Sequence, residues 1–150
     1  MKEKQPTDEI RKVAMTLDNA IENKRLDAVL SCFADDCEIE LIRHSLYGKA
    51  GVEKWFDWLF KNIRQIKIQP VIIMAEGNIL FEEFIIRARL RSGPEIKSRQ
   101  SEVLVFENDK IKCLRLYFDR LDFADTMTKD PVSKAVVSRI LKKSVEGLTD

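Results

Sequence analysis

Two acids stand inside β-forming, largely apolar runs. They are the first residues in this chain that could do chemistry. Glu102 lies in Ser98-Arg99-Gln100-Ser101-Glu102-Val103-Leu104-Val105-Phe106, and Glu82 lies in Ile79-Leu80-Phe81-Glu82-Glu83-Phe84. A carboxyl that faces an apolar cavity has its charged form desolvated, which raises its pKa. It can then act as a neutral hydrogen-bond donor or as a general base. The ordinary alternative for Glu102 is a strand acid that points outward, or one satisfied by Arg87, Arg43 or water at a pocket edge. Glu82 is the second candidate, nearer the start of its strand.

Other residue types give less. His44 is the only histidine, in Arg43-His44-Ser45. No Ser-His-Asp order or metal-ligand spacing accompanies it, so it reads as a loop residue at a cavity rim. Trp55 and Trp58, with Phe56 and Phe60, could wall an apolar site or simply fill a core. Arg87, Arg89 and Arg91 alternate on one strand face, with Arg99 and Arg115 available beside them. That pattern fits an anion site or a solvated face, with Glu83 and Asp119 at hand as partners. The three cysteines, Cys32, Cys37 and Cys113, form no Cys-x-x-Cys pair and read as free thiols in a reducing compartment. No glycine-rich phosphate loop is present. The expectation is therefore no metal and no cofactor.

These residues must be positioned by regular elements. Ile10, Val13, Leu17 and Ile21 recur at helical spacing over residues 7–24. A short helix follows around Leu26, Val29, Leu30 and Phe33. Cys37-Glu38-Ile39-Glu40-Leu41 alternates as a half-buried strand does. Gly48 breaks the chain before a helix over 50–63, with Val52, Phe56, Leu59 and Ile63 on one face. Four β segments then follow, at about 66–75, 79–91, 96–107 and 110–119. Glu76-Gly77-Asn78, Ser92-Gly93-Pro94 and Glu107-Asn108-Asp109 supply turns short enough for an antiparallel meander. Asp130-Pro131 then caps a last helix striped by Val132, Ala135, Val136, Ile140 and Leu141. That stripe must cover its own barrel, a pocket mouth or a partner chain.

Composition bounds the class. The chain has 150 residues, 45% of them apolar, with 26 basic and 25 acidic side chains and a net charge of +1. One domain with a self-sufficient core is expected. The charge balance argues against a nucleic-acid binder held by a basic field. The charged N-terminus lacks the apolar stretch of a signal peptide, and no run approaches the ~20 residues needed to span a bilayer. The expected location is cytoplasmic, with no membrane partner.

The order of elements, with Leu26-Asp27-Ala28-Val29-Leu30-Ser31-Cys32-Phe33-Ala34-Asp35-Asp36, Gly48-Lys49-Ala50-Gly51-Val52-Glu53-Lys54-Trp55-Phe56 and Leu114-Arg115-Leu116-Tyr117-Phe118-Asp119, resembles the nuclear-transport-factor-2-like superfamily. Its SnoaL-like polyketide cyclases, ketosteroid isomerases and limonene epoxide hydrolases share one fold. The resemblance covers residues 8–124. It implies an α+β fold, a cone-shaped curved antiparallel sheet wrapped on three N-terminal helices, the cystatin-like α+β barrel. The domain is expected over residues 1–125, with a C-terminal helical extension over 126–150.

The resemblance also implies where catalytic groups would stand. The epoxide hydrolase positions fall on Phe84, Ile86, Leu116, Ile39 and Leu41. The isomerase positions fall on Leu41, Leu17 and Glu102. Apolar side chains cannot take or give a proton, so both mechanisms are disfavoured and Glu102 alone survives as an acid. The implied function is binding of a small apolar molecule in a pocket lined by Leu17, Leu41, Phe56, Leu59, Phe84, Ile86, Leu104, Leu116 and Phe118, with Glu102 as polar handle. The alternatives are a non-catalytic dimerisation or interaction module, and an isomerase- or cyclase-type enzyme using Glu102, alone or with His44. A homodimer through the convex sheet is expected under each, with Val103, Val105, Ile85 and Tyr117 as the apolar part of its interface.

Overall fold

The computed structural model describes residues 7–91 and 93–148. The chain begins with helix α1 (Thr7–Glu22), followed by α2 (Leu26–Ser31). Strands β1 (Phe33–Leu41) and β2 (His44–Tyr47) form a hairpin that leads into α3 (Gly48–Asn62). The remaining strands are β3 (Ile63–Glu76), β4 (Ile79–Leu90), β5 (Glu95–Glu107) and β6 (Lys110–Phe118). They build one six-stranded curved sheet in the order β2-β1-β6-β5-β4-β3. Every pairing is antiparallel except β1 with β6, which is parallel.

Local chemistry explains the joints. Gly48 opens α3 at φ +66, a left-handed conformation that costs glycine nothing. Gly51, one turn on, would bring a Cβ within 3.0 Å of the Leu46 Cβ, so a side chain there would push α3 off β2. Pro70 sits in edge strand β3 at a register shift between Pro70 and Ile72, the kind of position where a strand tolerates a missing N–H. The four-residue β2 was not anticipated from the sequence, because His44-Ser45-Leu46-Tyr47 carries too little alternation to read.

One core cluster joins the three helices to the sheet. It includes Ile10, Ala14 and Leu17 of α1, Val29 of α2, Val52 and Phe56 of α3, and Leu80, Leu104, Phe106, Ile111 and Leu114 of the strands. Phe56 stands at its aromatic centre, with ring centroids 4.6 Å from Trp55, 5.9 Å from Phe60 and 6.4 Å from Phe33. A smaller cluster of Ile63, Ile66 and Ala88, flanked by Ile86 and Leu59, lies towards the other end of β3 and β4.

Two compact units divide after Phe118. The second begins with a 3-10 turn over Arg120–Phe123 and a one-turn helix α4 (Ala124–Met127), so the expected boundary at 125/126 falls inside α4. Helix α5 (Pro131–Ser144) is capped by Asp130, whose carboxylate accepts from the Ser133 N–H at 2.9 Å. No residue of α5 is buried, and its stripe residues Val132, Val136, Ile140 and Leu141 are exposed.

Candidate functional site

The pleat of β4 and β5 decides which side chains meet inside the sheet. Leu80, Glu82, Phe84 and Ala88 are the buried side chains of β4, while Ile96, Ser98, Gln100, Glu102, Leu104 and Phe106 are those of β5. Cross-strand register sets Leu80 opposite Leu104, Glu82 opposite Glu102 and Phe84 opposite Gln100. Glu82 and Glu102 are thus nearest neighbours on one face, 1% and 7% exposed. Directly opposed carboxyls repel when both are charged. On the other side of β5, Leu116 of β6 pairs with Glu102 and Phe118 pairs with Gln100.

Helix α1 adds a third acid. Asp18 brings a carboxylate oxygen into the same group, and one oxygen from each of Asp18, Glu82 and Glu102 lies within 4.8 Å of the others. Asp18 is half-buried, so the cluster approaches solvent on the α1 side. Glu22, one turn further along, accepts a 2.8 Å hydrogen bond from the Ile68 N–H and faces Lys67 at 3.7 Å. Among the described residues, no Lys, Arg or His forms an ion pair with Asp18, Glu82 or Glu102. Glu82 Oε1 is buried and has no hydrogen-bond partner among those residues.

Burial and mutual repulsion set the protonation of this group. Desolvation raises Asp18 to about 8, with further upward pushes from Glu82 and Glu22. Desolvation alone raises Glu82 to about 7. Glu102 rises well above the ordinary carboxylate range through burial first, then Asp18 and Glu82. Like charges this close in a poorly solvated site cannot all ionise near neutrality, and the three titrate as a coupled set. The arrangement can donate a hydrogen bond from a neutral carboxyl, accept one at a carboxylate, exchange a proton near pH 7, or hold a cation.

The structure distributes the residues singled out in the sequence as follows. Glu102 and Glu82 come together, facing inward. Leu17, Phe56 and Leu104 belong to the main core, and Leu41, Leu59 and Leu116 pack against it. Phe84 is buried beside Glu82, Ile86 borders the smaller cluster, and Phe118 is half-buried at the end of β6. His44 is exposed at the start of β2, opposite Leu41. Trp55 packs on Phe56, whereas Trp58 is 56% exposed and walls nothing.

Neither Arg87 nor Arg43 forms an ion pair with Glu102; Arg87 and Arg89 instead meet Glu95, at 3.9 and 3.4 Å. Glu83 pairs with Arg99 at 3.1 Å, while Asp119 caps the 3-10 turn through the Leu121 N–H. A surface cleft of about 240 Å³ lies among Gln65, Lys67, Arg87, Arg89 and Glu95, and one of about 230 Å³ lies beside Ala34, Asp35, Lys49 and Asn108. Neither includes the carboxyl cluster. Asp18 was missed in the sequence. Its signal is spacing: it lies four residues after buried Ala14 and three before Ile21, on the edge of the apolar stripe.

A curved sheet closed by helices, with polar groups held on its inner face, defines the cone-shaped α+β class of small domains. Residues 13–114 match the model of the family described as the SnoaL-like domain, and the chain belongs to that family. Several solved structures share the fold. An LEH-like epoxide hydrolase of M. tuberculosis is 20% identical, with TM-score 0.69 over 87% of this chain and 97% of that one. A nuclear-transport-factor-2-like protein of unknown function from Burkholderia pseudomallei is 16% identical, with TM-score 0.73 over 80% and 98%. TerC, co-crystallised with polyporic acid, is 11% identical, with TM-score 0.71 over 78% and 96%. At these identities the likeness is one of fold. No curated protein matches by sequence.

Proposed function

We propose that this SnoaL-like domain binds a small, largely apolar molecule on the inner face of its sheet. Glu102, Glu82 and Asp18 would form the polar end of the site. The observation that carries this reading is the convergence of three carboxyl groups among apolar side chains. Sites for small molecules combine apolar walls with a few polar groups that fix orientation. Phe84, Leu116 and Phe118 supply such walls beside the acids. The fold also hosts a small molecule in TerC, whose structure was determined with polyporic acid.

Proton transfer is the second reading. Glu82, raised to about 7, would be part-ionised at neutral pH, and a base poised near the working pH is the efficient one. The M. tuberculosis protein that shares the fold is an LEH-like epoxide hydrolase, so the fold is compatible with an enzyme. Both readings include a homodimer through the outer sheet face. There Ile79, Phe81, Val103, Val105 and Cys113 adjoin by register, and Ile79 and Tyr117 are substantially exposed. Both place the protein in the cytoplasm, in keeping with its three free thiols.

Native mass spectrometry of wild type and Glu102→Gln, each purified from the natural host, tests the binding reading. A small molecule released on mild denaturation of the wild type and diminished in the variant is the expected result. Equal retention by both proteins would overturn the role given to Glu102.

A further inference from the structure

The polar end of the inner face carries one sign of charge. Asp18, Glu82 and Glu102 bring oxygens within 4.8 Å of one another, and Glu22 lies near enough to Asp18 to repel it. Glu82 is 1% exposed, and its Oε1 has no partner among the described residues. A buried acceptor of that kind is costly to leave unmade, and a donor that also carries positive charge answers it best. The other buried polar side chains on this face, Ser98 and Gln100, bond to each other at 3.2 Å.

We infer that the cluster is a cation site and that the ligand's polar head is a protonated primary amine. The inference rests on the binding reading above and names its ligand class. Three oxygens up to 4.8 Å apart can all lie about 2.8 Å from one centre, the length of an N–H⁺···O⁻ hydrogen bond. A primary ammonium offers three N–H donors to three carboxyl groups, one for each. A hard divalent ion also takes carboxylate oxygens, and the manganese titration below separates it from an amine. Phe84 and Leu116, which flank the acids by register, would meet the alkyl or aryl part of the amine. Half-buried Asp18 marks the side from which the ligand enters.

Isothermal titration calorimetry on the full chain tests this at about pH 8, below the ~10.4 of an alkylammonium. The probes are n-butylammonium chloride, n-butanol and manganese chloride. One n-butylammonium per chain should bind, with no heat from n-butanol. Glu82→Gln and Asp18→Asn should each weaken it by about tenfold or more, since each loses a hydrogen bond to a charged group. Asp18 is the more exposed position, so its variant keeps the test open should the Glu82 variant fail to fold. Absence of n-butylammonium binding to the folded wild type would overturn the assignment, as would equal binding of n-butanol. Manganese binding that n-butylammonium does not displace would overturn it in favour of a metal ion. A neutral molecule retained from the host and lost in Glu102→Gln, with no alkylammonium binding, would remove the amine and leave the binding reading standing.

Discussion

Replacing Glu82 with glutamine should flatten the dependence of stability on pH. In the unfolded chain this carboxyl ionises near its ordinary value of 4.5, whereas in the fold desolvation holds its proton until about 7. Between those values the folded state binds more protons than the unfolded one. Stability therefore falls as pH rises through the window, and levels off above the folded value. At about 1.4 kcal/mol per unit, the full shift corresponds to roughly 3 kcal/mol. That is an upper bound, because half-buried Asp18 lets water near the cluster and the three acids share their titration. Glutamine keeps the shape and cannot ionise. Urea unfolding at intervals from about pH 5 to pH 8 should show the wild type losing more stability than the variant, by at most about 3 kcal/mol, and the variant the more stable at the alkaline end. Parallel profiles for the two proteins would refute the claim that Glu82 is desolvated in the fold.

Two further outcomes follow from the packing. Phe56→Ala removes the ring that joins Phe33, Trp55 and Phe60, and should lower unfolding free energy by about 3–5 kcal/mol, read as a fall in urea midpoint. Val103→Asp places a charge on the outer sheet face between Phe81 and Arg115, and should convert the proposed dimer to monomer in equilibrium sedimentation at micromolar concentration. A wild type that sediments as a monomer would contradict the dimer itself.

How much of this was legible in the sequence differs from element to element. Helix α1 announces itself through Ile10, Leu17 and Ile21, and β5 through its alternation up to Phe106, because burial on one face writes a period into the chain. The inward placing of Glu102 followed from aligning the last strands with a known fold, and the register with β4 and β6 carries it. The meeting of Glu82 with Glu102 depends on that register, which a single strand does not reveal. Asp18 was hidden for another reason. On a helix, a polar residue beside an apolar stripe reads as the solvated edge, and only the tertiary position of α1 turns it toward the acids. The parallel pairing of β1 with β6 is likewise a long-range contact with no local signature.

Three carboxyl groups meet in a poorly solvated place. Carbon-13 NMR of the side-chain carboxyls, titrated from about pH 3 to pH 9 and assigned by Asp18→Asn, Glu82→Gln and Glu102→Gln, measures this directly. The prediction is that Glu82 titrates near 7 and Asp18 near 8, while Glu102 keeps its proton well beyond the ordinary carboxylate range. Three independent titrations between about 3.5 and 5 would place these groups in water and contradict the account.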